Sequence, residues 1–393
     1  MNAINFIPEN GTLRISLGGR IDSSCAAQVE NDVKRILSEN PAENVLLDLD
    51  DLEYISSAGL RVFLQLRKKN PSLRLVNVSP EVFNILEMTG FTEIIPIEKA
   101  YRKISVEGCE IIGKGANGTV YRLDPETIVK VYVQPDALPD IQNERELARR
   151  AFVLGIPTAI SYDIVRVDGC YGSVFELLNA DSVANILQKD PSRVEEGAQI
   201  CIDLLKIIHG TEVSASDMPE MKAVALDWAN FLRDYLPADA ANRLVQLISD
   251  VPEDHHIIHG DYHIKNVMVQ NGEALLIDMD TLCYGHPVFE FASMFNAYKG
   301  FRETDPNQAK RFLGISSETA NALWNRQLCL YFGTDDEAKL KKIEDKARLI
   351  GYARLMRRSI RRKALDTEEG RKKVEHYKNN ILSLLDTVDS LTF

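Results

Sequence analysis

The segment IIHGDYHIKN at residues 257–266, followed by LLIDMD at 275–280, constrains this chain more than any other feature. Asp261, Asn266 and Asp278 follow the order of an aspartate that orients or deprotonates an acceptor hydroxyl, an asparagine on a metal and an aspartate that chelates magnesium. Phosphoryl transfer needs these groups because the phosphoryl group, the metal and the acceptor hydroxyl must be held in line while the negative charge of the phosphates is neutralised. The segment predicts Asp261 as the catalytic residue and Asn266 and Asp278 as metal ligands. His259 and His263 are predicted to shape the loop by hydrogen bonding rather than to bind metal.

A second motif, IIGKGANGTVYRL at residues 111–123, has a G-x-G-x-x-G-x-V arrangement. Such glycine spacing also opens dinucleotide-binding helices. Here TVYRL, the turn DPET and IVKVY read as strand, turn and strand, so the glycines are expected in a hairpin. Hairpin glycines let the backbone approach phosphate oxygens without an intervening Cβ. The predicted nucleotide-binding residues of this loop are Gly113, Gly115, Asn117, Gly118 and Val120.

A lysine in the following strand completes the nucleotide-binding pattern. Lys130 lies in the middle of TIVKVYV, and a catalytic lysine needs an acidic partner. The helix-like segment DIQNERELARRAF offers Glu144 or Glu146. We favour Glu146, judging by its distance from the GIPTA segment that follows the helix.

Length and composition indicate a multidomain protein. With 393 residues the chain exceeds what one ordinary core supports. A formal charge of −12 argues against nucleic acid or an anionic membrane as the main partner, because both require a basic face. The six cysteines are scattered without metal-binding spacing, and no apolar run reaches about 18 residues. A cytoplasmic location is expected.

The chain changes character along its length. Residues 1–103 alternate short strand-like and helix-like pieces, which predicts a compact α/β unit. Residues 104–180 are rich in β-branched runs and predict a strand-rich lobe. Residues 181–393 are mostly helical in pattern and predict a helical lobe with a helical tail.

The first 100 residues resemble the STAS domain of bacterial anti-sigma factor antagonists. The resemblance rests on LGGRIDSS at 17–24, VLLDLDDLEYISSAGLRVFL at 45–64 and LVNVSPEVFNILEMTGF at 75–91, in the family's order and spacing. It implies that Ser57 is a phosphorylation site, although Ser56 stands where the family often has aspartate. Two interpretations of Ser57 remain open. Its hydroxyl is either the N-cap of the following helix or a switch whose phosphate alters a partner-binding surface.

Residues 108 to about 300 resemble the aminoglycoside phosphotransferase and choline kinase-like branch of the protein-kinase fold. The matching pieces are H-G-D-x-H-x-x-N at 259–266, I-D-x-D at 277–280 and YGHPVFEFA at 284–292. His286 and Glu290 depart from the family's usual G-D-P and D-L-A. The resemblance implies ATP and Mg²⁺ as cofactors, with VFELL at 174–178 as the adenine-binding hinge through Glu176 and Leu178.

We therefore expect an α/β STAS domain followed by an α+β bilobal protein-kinase-like domain with a helical C-terminal extension. The expected activity is ATP-dependent phosphoryl transfer to a hydroxyl of a small molecule, coupled to a STAS module that binds an anti-sigma-type or other protein partner. The alternatives are a protein serine kinase acting on a STAS serine and a non-catalytic nucleotide-sensing regulator. Neither nucleic acid nor membrane is expected as a partner.

An arginine cluster lies in the predicted helical tail, within ARLIGYARLMRRSIRRKAL at 347–365. Most such clusters are solvated faces, and we favour that interpretation. Two alternatives are docking onto the acidic DLDDLEY edge of the STAS domain and binding of an anionic ligand. The arginines concerned are Arg354, Arg357, Arg358, Arg361 and Arg362.

Overall fold

The computed structural model describes residues 4–9, 11–115, 117–135 and 137–393. The described chain divides into two compact units. The first comprises the residues up to Glu107 together with Ile164–Gly172, and the second comprises Gly108–Asp163 and Ser173–Phe393. Ala116 of the glycine motif lies outside the described residues.

The first unit is built around a five-stranded sheet of order β1-β2-β4-β6-β7. Strand β1 is antiparallel to β2, and the other neighbours are parallel. Strands β3 and β5 form a separate parallel pair. The strands are β1 (Ile4–Glu9), β2 (Thr12–Leu17), β3 (Gly19–Ile21), β4 (Asn44–Asp48), β5 (Leu52–Ile55), β6 (Arg74–Val78), β7 (Ile97–Lys99) and β8 (Arg102–Lys103). The helices are α1 (Ala26–Glu39), α2 (Ser57–Lys69) and α3 (Pro80–Met88).

The core of this unit follows from strand alternation. In β2 every second residue, Leu13, Ile15 and Leu17, is buried, which is the pattern of a strand with one face on a core. The helices bury apolar stripes against the sheet, for example through Val33 and Phe63. The predicted α/β architecture is confirmed for this part of the chain.

The remaining strands begin with a glycine-containing hairpin. Strand β10 is antiparallel to both β9 and β11, and the sheet order in this region is β13-β11-β10-β9. Strand β12 pairs in parallel with β8. The strands are β9 (Glu110–Lys114), β10 (Gly118–Arg122), β11 (Thr127–Tyr132), β12 (Asp163–Val167), β13 (Cys170–Glu176), β14 (Asp181–Ser182), β15 (Ile257–Ile258), β16 (Val267–Gln270), β17 (Glu273–Leu276) and β18 (Cys283–Tyr284).

Helices dominate the second unit after β13, as the sequence predicts. Helix α9 is buried along its whole length and forms the centre of the helical core. The helices are α4 (Leu138–Val153), α5 (Val183–Lys189), α6 (Val194–His209), α7 (Met221–Phe231), α8 (Ala238–Ser249), α9 (Val288–Phe295), α10 (Phe301–Glu303), α11 (Gln308–Leu313), α12 (Ser317–Phe332), α13 (Glu337–Arg361) and α14 (Glu368–Leu385). The predicted bilobal α+β architecture with a helical C-terminal extension is confirmed.

Candidate functional site

A tight hairpin brings the two predicted metal ligands together. Strands β16 and β17 pair antiparallel, with Asn266 immediately before β16 and Asp278 shortly after β17. The amide of Ile277 donates to the carbonyl oxygen of Asn266 at 3.0 Å, which fixes the two segments side by side. Asp278 has φ 65° and ψ 65°, a left-handed conformation that is uncommon outside glycine and is often found at functional sites.

The loop that carries Asp261 is fixed by hydrogen bonds from its backbone to a buried carboxylate. Glu290, on the central helix α9, accepts hydrogen bonds from the backbone amides of His259 and Gly260, the second at 3.0 Å. Gly260 has φ +79°, and a Cβ there would lie 2.7 Å from the carbonyl oxygen of Thr281, so only glycine fits without movement. The side chain of Asn266 donates to the carbonyl oxygen of Asp261 at 3.1 Å. The loop is therefore preorganised while the Asp261 carboxylate stays half-exposed.

Lys130 links the strand-rich lobe to the hairpin. Its Nζ atom lies 3.1 Å from Oε1 of Glu144 and 2.7 Å from Oδ1 of Asp278. Tyr132 donates a further hydrogen bond to Oε2 of Glu144 at 2.7 Å. Burial by itself would lower the pKa of Lys130, but the two carboxylates outweigh it and raise that pKa above its ordinary value. Lys130 is therefore a permanent cation in the cleft, and its charge in turn lowers the pKa of Asp278 despite burial.

The prediction that Glu146 is the partner of Lys130 is wrong. Glu146 bonds instead to Arg149 and Arg150 on its own helix, at 2.9 and 2.8 Å. The buried face of α4 contains Ile141, Glu144, Leu147, Ala148 and Ala151. Glu146 lies two residues after Glu144 and therefore about 200° away from it around the helix axis, because an α-helix turns roughly 100° per residue. Its side chain thus points away from the buried face.

The glycine motif forms the predicted hairpin between β9 and β10. Gly113 lies opposite Val120, and the amide of Gly115 donates to the carbonyl oxygen of Gly118 at 2.9 Å. A Cβ on Gly118 would lie 2.4 Å from the carbonyl oxygen of Val131, so strand packing requires this glycine. A Cβ on Gly113 would meet only ordinary contacts, and on Gly115 the nearest atom would be 3.9 Å away. The space beside those two glycines is available to a ligand.

Asn117 at the tip of this hairpin reaches the other lobe. Its Nδ2 atom lies 3.5 Å from Oδ2 of Asp280. The walls of the cleft and the charges of Asp278 and Glu144 raise the pKa of Asp280 to about 6, although part of its surface meets solvent. At the predicted hinge, Glu176 ends β13 and Leu178 follows it, and between them Leu177 N donates to Glu126 O at 2.7 Å.

His263 lies beneath the Asp261 carboxylate. Its Nε2 atom is 3.7 Å from Oδ2 of Asp261, and its ring meets Phe312 edge-on at 4.9 Å between centroids. Burial lowers the pKa of His263, so the imidazole is neutral near pH 7. Its Nδ1 atom has no hydrogen-bond partner among the described residues. His263 is thus a buried neighbour of the site, and the loop-shaping hydrogen bond is made instead by His259, whose Nδ1 accepts from the amide of Asp261 at 3.2 Å.

The predicted oxygen ligands for a metal are the side chains of Asn266 and Asp278, and Asp280 is a further carboxylate two residues after Asp278. Within the described ranges, no group of three or more His, Cys, Asp or Glu side chains is arranged to hold a metal ion. Magnesium in nucleotide sites typically takes one or two carboxylates and completes its octahedron with phosphate oxygens and water. The residues present therefore fit a magnesium ion that arrives with a nucleotide.

In the same described ranges, no helix combines the length and the apolar character that a bilayer crossing requires.

The candidate phosphorylation site lies at the start of α2 in the first unit. The N-cap is Ser56, whose hydroxyl accepts from the amides of Ala58 and Gly59 at 3.2 and 3.4 Å. The interpretation of Ser57 as the N-cap is therefore wrong. Ser57 is the first helical residue and is exposed. Its hydroxyl is accessible, and it makes no hydrogen bond within the described part of the chain.

The acidic residues near Ser57 are of two kinds. Asp48 is bonded to Arg14 at 2.8 Å and to Asn77 at 3.0 Å, so its charge is partly neutralised. Asp50, Asp51 and Glu53 are exposed and line an open groove of about 720 Å³. The exposed acidic edge of this unit is therefore smaller than the sequence suggests.

Three contributors to the site were not selected from the sequence in these roles. Glu144 was the less favoured of two candidates, although it had a detectable signal because it falls on the apolar face of its helix. Glu290 was seen only as a departure from a family pattern. Arg354 was seen only as part of a charge cluster, yet its Nη1 atom donates to the carbonyl oxygen of Gly260 at 2.8 Å. No local pattern indicates a contact between residues 94 positions apart.

The fold and the cleft define a kinase-like phosphotransferase preceded by an α/β module. The chain belongs to the phosphotransferase enzyme family, which it matches over residues 108–324, more than half of its length. Residues 4–104 match the STAS domain. These matches confirm both resemblances that the sequence motifs suggested.

Relatives of the first unit are anti-sigma factor antagonists. BtrV of Bordetella bronchiseptica, which carries the name of a candidate anti-sigma factor antagonist, is 38% identical over 92 residues, covering 22% of this chain and 78% of that protein. The anti-sigma-B factor antagonist of Listeria monocytogenes is 30% identical over 104 residues, covering 25% of this chain and 90% of that protein.

Solved structures similar to the chain include aminoglycoside phosphotransferases. A thermostable mutant of APH(4)-Ia in its apo form has 13% identity and a TM-score of 0.48, covering 77% of this chain and 97% of that one. The streptomycin–ATP–APH(2")-IIa complex has 13% identity and a TM-score of 0.46, covering 70% of this chain and 93% of that one.

Proposed function

We propose that this protein is an ATP-dependent phosphotransferase that transfers the γ-phosphoryl group to a hydroxyl of a small molecule, under the control of its STAS module. The observation that carries the proposal is the contact of Lys130 with both Glu144 and Asp278. It puts the positive charge of Lys130 beside the carboxylate of Asp278, the proposed metal ligand. This arrangement suits the binding of a nucleoside triphosphate with its metal ion.

The nucleotide is held by groups from both lobes. The hairpin glycines Gly113 and Gly115 leave room for phosphate oxygens, and Lys130 supplies the positive charge. The backbone of the Glu176–Leu178 segment binds the adenine. Asp278 and Asn266 would hold Mg²⁺, which would neutralise charge on the phosphates.

Asp261 acts on the acceptor. Its carboxylate accepts the proton of the acceptor hydroxyl as the oxygen bonds to the γ-phosphorus, the bond from that phosphorus to the bridging oxygen breaks, and ADP leaves. Glu290 and Asn266 hold the loop from two sides, so that the carboxylate is positioned before the acceptor binds. His263 stays neutral beneath it and adds no competing charge.

The STAS module is the regulatory part of the protein. We assign residues 1–103 to this module, 104–180 to the nucleotide-binding lobe and 181–393 to the helical lobe with its tail. The exposed Ser57 follows Asp50, Asp51 and Glu53 in the sequence by four to seven residues. Phosphate there would add about two negative charges to an acidic edge and change how a protein partner docks.

A second candidate function, a protein serine kinase acting on Ser57, is favoured by the exposure of that hydroxyl and its freedom from capping. One experiment separates the candidates. The protein and its Asp261→Asn variant are incubated with Mg²⁺ and ATP, with and without a panel of small hydroxyl acceptors; ADP is measured, and the intact mass is determined with peptide mapping. ADP formation that depends on Asp261 and on an added acceptor, without a gain in protein mass, supports small-molecule transfer.

The other outcomes contradict that assignment. A phosphoryl group on Ser57 that is absent from the Asp261→Asn variant identifies a serine kinase that modifies its own chain. Nucleotide binding without any ADP, in the presence of a broad panel of hydroxyl acceptors, identifies a non-catalytic nucleotide sensor.

A further inference from the structure

One face of helix α13 points toward the catalytic loop. Arg354 and Arg358 are spaced by four residues and therefore lie on one side of the helix, and Arg362 is the C-cap residue that follows the last turn. Arg354 donates from Nη1 to the carbonyl oxygen of Gly260, the residue before Asp261. Because Arg358 and Arg362 follow it toward the end of the helix, a row of guanidinium groups extends outward from the site of proton transfer.

A chain of aromatic contacts connects this row to Asp261 by a second route. The Arg358 guanidinium carbon lies 5.1 Å from the centre of the Phe301 ring. Phe301 meets Phe312 edge-on at 5.9 Å, and Phe312 meets His263 at 4.9 Å, directly beneath the Asp261 carboxylate. Both phenylalanines are partly exposed. Phe301 and Phe312 therefore form a continuous apolar surface between Asp261 and the arginine row.

Lys373 on helix α14 adds a further positive charge at this place. Arg358 is exposed, but burial of part of its side chain lowers its pKa, the nearby charges of Arg362 and Arg354 lower it further, and Asp261 and Tyr377 act in the opposite direction. Burial and the charge of Arg358 likewise lower the pKa of Lys373, with Glu369 acting in the opposite direction. These cations therefore repel one another in the folded protein.

The repulsion is not relieved by ion pairs. In the ranges that the structure describes, no carboxylate lies within 4.0 Å of the charged nitrogens of Arg358, Arg362 or Lys373. Neighbours on the same helices are paired, since Arg357 bonds to Asp227 at 2.6 Å and Lys372 to Glu368 at 2.7 Å. Arg358 interacts with the charges of Asp261 and Arg362, and Lys373 interacts with those of Arg358 and Arg362, so the three cations form one cluster beside the loop that carries Asp261.

We propose that the acceptor carries an anionic group, a phosphate or a carboxylate, which Arg358, Arg362 and Lys373 bind while its hydroxyl lies at Asp261. The inference rests on the proposed function, because it names the substrate class of the same site. A cationic acceptor would meet the arginine row as a like charge. An anion would relieve the repulsion and gain charge-assisted hydrogen bonds, with Phe301 and Phe312 beneath its carbon skeleton.

The test is a binding measurement on the full chain with three sugars that differ in charge on one scaffold. Glucose 6-phosphate, glucose and glucosamine are titrated by calorimetry while Mg²⁺ and a non-hydrolysable ATP analogue fill the nucleotide site. We expect glucose 6-phosphate to bind at least about tenfold more tightly than either other sugar, a difference typical of one or two charge-assisted hydrogen bonds. The ATP analogue cannot be hydrolysed, so the titration measures binding alone. A protein that fails to transfer the phosphoryl group can therefore still show, or fail to show, recognition of the anion.

Two variants and a control assign the preference to these residues. Arg362→Glu/Lys373→Glu and the milder Arg362→Gln/Lys373→Gln should both abolish the preference, and a cooperative thermal transition verifies that each is folded. Lys372→Glu, adjacent to Lys373 but ion-paired on the outer surface, should retain it. Equal or tighter binding of glucosamine, or a preference that survives both double variants, overturns the proposal.

A protein acceptor is a separate outcome of the same experiment. A peptide of residues 48–66, which contains Ser57 and its acidic neighbours, is titrated in parallel. Binding of this peptide that requires Arg362 and Lys373, in the absence of any preference for the anionic sugar, overturns the small-molecule assignment.

Discussion

The Nζ atom of Lys130 lies 3.1 Å from Oε1 of Glu144, within a buried cluster that also contains the hydroxyl of Tyr132. This pair fixes the position of the lysine between strand β11 and helix α4. Because Lys130 also contacts Asp278, a movement of α4 would change the geometry of the β16–β17 hairpin region as well. The pair is therefore one of the points at which the two lobes of the kinase-like unit are coupled.

Loss of the Glu144 carboxylate should impair nucleotide use. We expect Glu144→Gln to lower kcat/KM for ATP by about a hundredfold, because a misplaced catalytic group of this kind costs about that factor. The matched control is Glu146→Gln, which removes an exposed ion pair worth at most about 1 kcal/mol. ADP formation at varied ATP concentration measures both. Equal losses in the two variants would contradict the pairing.

The buried carboxylate of Glu290 should be required for both stability and turnover. Glu290→Gln leaves one backbone amide of the catalytic loop without an acceptor, and we expect the free energy of unfolding to fall by about 1–3 kcal/mol. Turnover should fall while nucleotide affinity is retained, because the displaced loop carries Asp261 and not the phosphate-binding groups. Denaturant unfolding and calorimetry measure the two effects. The exposed Glu253→Gln is the control, and comparable destabilisation by both variants would argue against a special role for Glu290.

The raised pKa of Asp280 predicts a pH-dependent stability of the nucleotide-free protein. Its pKa rises from the ordinary 3.8 to about 6 in the folded state, so the folded protein binds this proton more tightly than the unfolded chain does. Stability from this group is present below pH 4 and is lost as the pH rises toward 6. Asp280→Asn abolishes that loss, so the variant should gain in Tm relative to wild type between pH 4 and 7.

The size of this effect is limited, since the Asp280 side chain retains contact with solvent. Asp335→Asn removes the same charge from an exposed loop and serves as the control. Parallel Tm curves for wild type and Asp280→Asn across that range would show that the carboxylate is not perturbed in the folded protein.

The two adjacent serines of the STAS module should behave differently. Ser56→Ala removes the N-cap of α2 and should cost about 1 kcal/mol of local stability. Ser57→Ala should change stability by less than about 0.5 kcal/mol, as expected for an exposed surface residue. Amide hydrogen exchange at Ala58 and Gly59 in the full chain reports on both. Faster exchange in Ser57→Ala than in Ser56→Ala would reverse the assignment of the cap.

Local patterns were sufficient for much of the fold and for the order of the catalytic residues. The alternating strand β2, the helix opened by the two serines and the β9–β10 hairpin all follow from neighbours in sequence. Asp261, Asn266 and Asp278 could be recognised together because they lie within 18 residues, so one loop and one hairpin suffice to bring them together.

The choice between adjacent candidates was decided by geometry around the helix axis. Glu144 and Glu146, like Ser56 and Ser57, are chemically equivalent choices in the sequence. Which member faces the site depends on helix rotation and on where the first turn begins. The apolar positions Ile141, Leu147 and Ala148 would have indicated the correct glutamate, because they mark the buried face of α4.

The sequence by itself determined the two domain types, the order of the candidate catalytic residues and the density of arginine in the tail. Only the tertiary structure decided that Glu290 supports the catalytic loop, that Arg354 contacts Gly260 and that Arg358 is left without a carboxylate partner. These facts join segments 30 to 100 residues apart, and a local pattern has no information about which distant carboxylate, amide or ring comes near. Packing of α13 against the central helix α9 brings Arg354 to the loop that α9 supports through Glu290.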